Sequence, residues 1–496
     1  MRGREARYAG LVVFAASLFS LLTGLLFSVM VTRRISTGEY GILQFYSTVM
    51  AYLVLPGTVV GYWLTRDLGR GRQLLTTGIT MNNLLGLLAG FSLLLISMLS
   101  GEAVKLTASE LAAIAANLYL LYLSSTLDSA SMGVAPALHG EGLILQETAK
   151  IGVGWILIVL MRMELLGVLV SIDAGLLCKC AFTYLRMPHD VRGRLDPSSA
   201  IRWLKRGWVP VLAILPGLIA SADLLVLLLL VASPVPTAYL GLAKTLAAII
   251  LYANSLAITL YPKLLSGKGQ AEIEDAFRLV MMFAVPMATG MWILALPIVQ
   301  LFGQNYTPAV IALQLLSVAA LFNAIKGLSS SILQGKEGAD VDPDRPLGDL
   351  LRSNLVVPRL WEILAELVYV LVSLALTSYM WWNGYPPESM VTALAMVSLL
   401  VTVPLSLWMW RFSTKVCAYR IPWTDLASYV ASAAVMSVSV IAVGPAQTGA
   451  ITAYEVGLHL FSIVALGALV YFTVLLVINR RLRTELRSAF KSRLRQ

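Results

Sequence analysis

Long apolar stretches alternate with short polar segments from Tyr8 to about Asn479. Fourteen can be marked: 8–31, 41–64, 75–99, 111–133, 143–161, 165–185, 208–232, 237–261, 276–301, 309–331, 360–381, 388–410, 424–444 and 456–478. Most are near or above the roughly 20 residues that carry an α-helix across a bilayer. Inside lipid every backbone N–H and C=O must be satisfied within the structure, so apolar runs of this length read as helices. The pattern predicts an all-α polytopic membrane protein with about 14 transmembrane helices. The fifth and sixth runs are squeezed around Arg162 and Glu164. The first run is too long for a signal peptide, and no small-residue cleavage site follows it promptly.

Composition supports this class. Hydrophobic residues make up 58% of the 496 and charged residues 13%, more apolar surface than a soluble core could hide. Charge then sets an expected orientation. With a cytoplasmic N-terminus, most of the 37 Lys and Arg residues fall on the inner side, in the groups 2–7, 66–72, 186–206, 263–278, 336–359, 411–420 and 480–495. The outer side holds Arg33, Arg34, Lys105 and Arg162, and Lys150, Lys179, Lys244 and Lys326 lie inside spans. This distribution predicts that both termini are cytoplasmic. The net charge of +10 then reflects topology and anionic headgroups, and with no soluble basic domain a nucleic-acid partner is not expected. Three cysteines (Cys178, Cys180, Cys417) and three scattered histidines (His139, His189, His459) predict neither a disulfide framework nor a metal site. There is no Gly-x-x-x-x-Gly-Lys-Ser/Thr loop, so nucleotide-driven transport is not expected, and no cofactor is implied.

A shift of 200 residues brings several features into register. Thr37-Gly38-Glu39-Tyr40-Gly41-Ile42 meets Thr237-Ala238-Tyr239-Leu240-Gly241-Leu242, Thr107 meets Thr307, and the third and ninth spans coincide. Six spans matching six at an even offset share one orientation, which predicts two six-helix bundles related by a parallel pseudo-repeat. The expected boundaries are 1–206 and 207–411, followed by a two-helix hairpin at 412–479 and a basic cytoplasmic tail at 480–496.

Four segments carry a family resemblance: Leu301-Phe302-Gly303-Gln304-Asn305-Tyr306-Thr307-Pro308-Ala309 before the tenth span, Thr32-Arg33-Arg34-Ile35-Ser36-Thr37-Gly38-Glu39-Tyr40-Gly41, Gly61-Tyr62-Trp63-Leu64-Thr65-Arg66, and Ser329-Ser330-Ser331-Ile332-Leu333-Gln334-Gly335-Lys336. Together they resemble the polysaccharide flippases of the O-antigen-transporter type, within the multidrug/oligosaccharidyl-lipid/polysaccharide exporter superfamily. The resemblance covers residues 1 to 336 and weakens beyond, where the acidic loop 337–358 and Asn383-Gly384-Tyr385-Pro386-Pro387 depart from the pattern. It implies two bundles around a central cavity that move a polyprenyl-(di)phosphate-linked oligosaccharide across the membrane by rocking. The partners implied are that lipid-linked substrate, the membrane lipids and a coupling ion, for a monomeric protein of the cell membrane with no enzymatic activity.

A polar head crossing the membrane needs a polar, preferably cationic, cavity, and ionisable residues inside spans are its candidates because each is costly there unless paired or hydrated. Asp223 and Lys244 sit at equal depth in consecutive antiparallel helices. They read either as a buried structural ion pair or as a switchable site, with Lys244 meeting phosphate and Asp223 carrying a proton or neutralising the lysine. Arg33 and Arg34 at the outer end of the first span read either as snorkelling residues or as a phosphate clamp. Arg66 reads either as a positive-inside anchor or as a contact for the entering head. Lys326, Lys179 and Lys150 lie near enough to the inner face to snorkel, and of these Lys326 is kept as a cavity candidate. Asp128 and Glu366 join Asp223 as ion or proton sites; Glu362 shares the helix face of Glu366, and Asp173 is a further carboxylate. Pro56, Pro216, Pro286 and Pro297 are expected to bend their helices.

Two other readings stay open. A cation- or proton-coupled drug antiporter of the same superfamily would share the bundles but would usually have twelve spans and a carboxylate-dominated cavity. An integral-membrane glycan polymerase or ligase would need a sizeable extracytoplasmic segment, which the short outer loops do not supply.

Overall fold

The structure, a computed structural model, describes residues 2–99, 104–257, 270–337, 356–444 and 453–484. The loop 338–355 and most of the expected basic tail lie outside these residues. The chain forms α1 (Arg2–Thr32), α2 (Thr37–Leu53), α3 (Leu55–Gly69), α4 (Leu75–Leu99), α5 (Ala108–Val134), α6 (Pro136–Gly154), α7 (Glu164–Arg186), α8 (Pro197–Lys205) and α9 (Trp208–Val231). There follow α10 (Pro234–Ala247), α11 (Gln270–Ile293), α12 (Ala295–Phe302), α13 (Val310–Glu337), α14 (Val356–Trp382), α15 (Pro387–Cys417), α16 (Trp423–Val443) and α17 (Ala453–Ile478). Among the described residues 13 helices are long and apolar enough to cross a membrane, or 14 when the bent pair α2–α3 is taken as one span. This is an all-α, multi-pass membrane architecture.

The helix ends follow from local chemistry. Ser36 and Thr107 each cap a helix through a capping box, in which the hydroxyl accepts from the backbone of Glu39 or Glu110 and the glutamate accepts in return from the cap N–H. The expected second span is two helices, α2 and α3, meeting at 51° around Val54. Pro56 sits in the first turn of α3, where its missing N–H costs nothing but forbids continuation of α2. The eighth span also changes at mid-length: α10 gives way at Ala248 to a 3-10 run ending at Ala257. A third break, at Leu294, separates α11 from α12, with Pro297 in the first turn of α12. By contrast, Pro216 and Pro286 lie inside continuous helices. Around the squeezed fifth and sixth spans the chain leaves α6 through a π-helical turn, Trp155–Leu160, and reverses with Arg162 and Glu164 at positive φ.

The chain divides into two compact units, Met1–Ala238 and Tyr239–Gln496, with the division inside α10. In the first unit α5 is central and packs against α3, α4, α6 and α7, while α1 packs on α6 and α2 on α9. Lipid tails are as apolar as leucine, so close van der Waals fit, rather than withdrawal from water, holds such helices together. The α3–α5 contact shows how: Gly57 and Gly61 lie one turn apart, and a Cβ on Gly61 would sit 2.4 Å from Ser129 Oγ, one on Gly57 2.7 Å from the Tyr122 ring. Gly61→Ile is therefore expected to destabilise the protein by about 1–3 kcal/mol through overpacking, read as a lowered thermal midpoint in detergent. An unchanged midpoint would show that α3 can slide on α5.

In the second unit α13 and α15 form the most extensive pair, α14 packs on α15, and α11 packs on α13 and α16. The C-terminal pair α16–α17 is fastened at one end by a polar lock. Arg278 of α11 donates to Asp425 at 2.8 Å and to Asp275 at 2.8 Å, and Asn479 donates to the other Asp425 oxygen at 2.8 Å. Arg481 reaches Asp275 at 3.0 Å.

Candidate functional site

The segment Leu301–Ala309 forms a defined joint. α12 ends at Phe302, Gly303 takes φ +143°, and a short 3-10 turn leads into α13. Tyr306 of this turn is 1% exposed, with its ring edge-on to Tyr239 at 6.3 Å. A side chain at Gly303 would be strained by that φ and would meet the Tyr306 ring. The joint fixes the start of α13, the helix that bears Lys326.

Four helical turns along α13, the second unit gathers several charged side chains. Lys326 Nζ lies 3.6 Å from Glu366 Oε1 of α14, with both side chains slightly open at 16% and 12% exposure. The charge of Lys244, on α10, also acts on Glu366. One turn before Glu366, buried Glu362 is paired with Arg359, whose other nitrogen donates to Ser330 Oγ at 3.0 Å. Ser330 stands one turn beyond Lys326. Gly327, beside the lysine, leaves room for Asn254, whose amide would lie 2.6 Å from a Cβ there. Three cations thus share one neighbourhood with two carboxylates. The separation at Lys326–Glu366 exceeds that of a short charge-assisted hydrogen bond, for which 2.7–2.9 Å is usual, so the pair is a loose one.

The first unit holds tighter pairs. Asp128 of α5 accepts from Lys179 Nζ of α7 at 2.7 Å and meets His139 Nδ1 of α6 at 2.9 Å. Lys179, placed along its span near enough to the inner face to snorkel, is 5% exposed and held inside the helix bundle instead. Asn117 donates to Asp173 at 2.8 Å. Lys150 pairs with Glu147 at 2.6 Å, and Glu147 also accepts from Thr23 at 3.0 Å. Neither His139 nor Lys179 was singled out from the sequence as a partner of Asp128. The signal was present, because Asn117, Ser124 and Ser131 recur every seven residues on the buried side of α5, with Asp128 beside them.

Other candidates fall elsewhere. Asp223 is fully buried in α9, and its carboxylate accepts from Leu224 N at 2.7 Å. Tyr52, which feels that charge, donates to Leu218 O at 2.5 Å. Asp223 belongs to the first unit and Lys244 to the second. Arg66 lies over the Tyr62 ring, 3.7 Å from its centroid, and 6.0 Å from that of Trp63. Arg33 and Arg34 are exposed just past the end of α1.

The architecture is all-α and built of long apolar helices. Its solved neighbours include the lipid II flippase MurJ in an inward closed conformation, with a TM-score of 0.66 and 14% identity over 95% of this chain and 99% of that one. A multidrug resistance MATE family transporter of the MOP superfamily, inward-facing, gives a TM-score of 0.60 at 13% identity over 80% and 95%. A MATE protein in the straight conformation gives 0.56 at 14% over 83% and 96%. At these identities the likeness is one of fold. No family model matches the chain, and no curated protein does.

Proposed function

We propose that this protein is a flippase that carries a polyprenyl-(di)phosphate-linked oligosaccharide across the cell membrane by alternating access. The observation that carries the reading is the cationic cluster of Lys244, Lys326 and Arg359 inside the second unit, with Lys326 only loosely held by Glu366. An arriving phosphate can replace Glu366 as the partner of Lys326, so the ammonium exchanges one anion for another and is never left bare in hydrocarbon. Likeness in fold to the lipid II flippase MurJ over 95% of this chain supports the same reading. In this account the bundles are 1–206 and 207–411, the 412–479 hairpin is appended to them, both termini are cytoplasmic, and the work is transport without bond-making chemistry. Arg66, held over Tyr62, receives the head on entry, and Arg33 and Arg34 meet it at the outer mouth. Asp223, Asp128 and Glu366 are the carboxylates through which an ion or proton is coupled.

A second reading, a proton- or cation-coupled antiporter, draws on the carboxylates Asp128 and Asp173 of the first unit. The two readings separate by photocrosslinking. A benzophenone amino acid at Ser330 is expected to label with a polyprenyl-diphosphate sugar, and unlabelled polyprenyl diphosphate sugar is expected to compete. Labelling by a lipophilic drug cation instead, with none by the lipid-linked sugar, would favour the antiporter.

A further inference from the structure

On the first unit, α4, α5 and α7 leave a cavity of about 420 Å³ lined almost wholly by apolar groups. Its floor is Leu75, Leu127 and Cys180, all buried. Its rim includes Leu177 and Tyr184, 58% and 41% exposed, so the groove opens outward from the helices. At one end stands a single charged residue, Arg192. Three contacts from Thr76 of α4 tie down the backbone at 192–193: Thr76 N donates to Arg192 O at 3.2 Å, and the Thr76 hydroxyl donates to the same oxygen and to Gly193 O at 3.1 Å. The guanidinium lies over the Tyr184 ring at 4.7 Å, and Nη2 donates to Tyr184 O at 3.3 Å. Arg192 Nε is buried, and among the described residues it has no hydrogen-bond acceptor.

A guanidinium offers five donors and binds phosphate in a two-pronged fashion. A buried donor without an acceptor is unfavourable, so the protein leaves the guanidinium incompletely satisfied, and an anion at the mouth of the groove meets its charge. The surroundings favour that charge: six basic residues stand against two acidic ones between 186 and 206. Of the two acids, Asp196 is engaged in capping α8 through Ser198 and Ser199.

We infer that this groove is a binding site for an anionic glycerophospholipid of the surrounding membrane, with an acyl chain along Leu75, Leu123, Leu127 and Leu177 and the headgroup phosphate on Arg192. A resident lipid there would bridge the start of α4 to the end of α7. The site is separate from the charges assigned to transport and does not depend on them.

The test is native mass spectrometry of the full chain released from nanodiscs of phosphatidylglycerol or of phosphatidylcholine. Wild type is expected to retain one phosphatidylglycerol, and at least tenfold less phosphatidylcholine under the same activation. Arg192→Gln is expected to lose that adduct at least tenfold. So is Ala181→Trp, which fills the groove from its exposed rim without touching the charge. Arg70→Gln, an exposed arginine in the α3–α4 connection, is expected to leave the adduct unchanged. Short-chain dihexanoyl phosphatidylglycerol should compete poorly with the dioleoyl lipid. Equal retention of both headgroups, an adduct that survives Arg192→Gln or Ala181→Trp, or an equal loss with Arg70→Gln would overturn the proposal.

Discussion

Lys326→Ala is expected to reduce protein-dependent flipping of a polyprenyl-diphosphate sugar in proteoliposomes by about 10- to 100-fold. The size follows from one charge-assisted contact to phosphate, about 1.5–3 kcal/mol, at about 1.4 kcal/mol per tenfold. Removing Lys326 also takes away the cation 3.6 Å from Glu366, leaving a carboxylate that repels the incoming phosphate, so the loss should fall at the upper end of that range. Two companions make the effect interpretable. Glu366→Gln keeps the shape, removes the competing anion and is expected to tighten substrate binding while slowing release. The pair Lys326→Ala with Glu366→Gln should recover part of the loss, because the unneutralised carboxylate is gone. If Lys326→Ala flips like wild type, the cluster is a structural pairing and the cavity lies elsewhere.

The second large effect concerns stability. Asp128→Ala leaves Lys179, 5% exposed, without its carboxylate at 2.7 Å and His139 without its partner at 2.9 Å. Removing one member of a buried pair typically destabilises by about 3–5 kcal/mol, whereas replacing both by apolar groups of similar size is often neutral. Asp128→Ala is therefore expected to lower the thermal midpoint sharply, and Asp128→Leu with Lys179→Met to restore most of it. A double-mutant cycle on purified protein isolates the pair. An Asp128→Ala protein as stable as wild type would mean that Lys179 finds water or another acceptor. Asp128→Asn separates structure from coupling: a folded variant that flips without responding to an imposed pH gradient would assign the coupling role to Asp128.

Much of the architecture was legible because a membrane span is announced by length and apolarity, both one-dimensional properties. The helices of the third, ninth and tenth expected spans recur close to their expected bounds as α4, α11–α12 and α13. Breaks were legible only where a proline marked them. Pro56 and Pro297 sit just past real breaks, whereas Pro216 and Pro286 lie within continuous helices. The change at Ala248 has no proline in its own neighbourhood, and nothing local in the sequence marks it.

Partners were less legible. The position of a residue along a span gives its depth, but which way its side chain faces depends on neighbours that the chain alone does not name. Lys179 looked close enough to one surface to snorkel, yet its helix face turns toward α5 and Asp128. Glu362 and Glu366 share a helix face by their spacing, and packing gives each its own cation, Arg359 and Lys326. Lys326 and Glu366 stand on helices separated in sequence by the loop 338–355, and no local pattern links them. Only a periodic polar stripe, such as that on α5, carries facing information in the sequence itself.

The most direct test of the central claim is flipping by the purified wild-type protein. Proteoliposomes containing a fluorescent polyprenyl-diphosphate sugar are treated with an impermeant reductant, and the protected fraction is followed with and without protein, with and without an imposed ion gradient. The account predicts that protein makes the inner-leaflet pool accessible, and that unlabelled lipid-linked sugar competes whereas a drug cation does not. A protected fraction unchanged by protein under every gradient, together with gradient-driven movement of a drug cation, would contradict it.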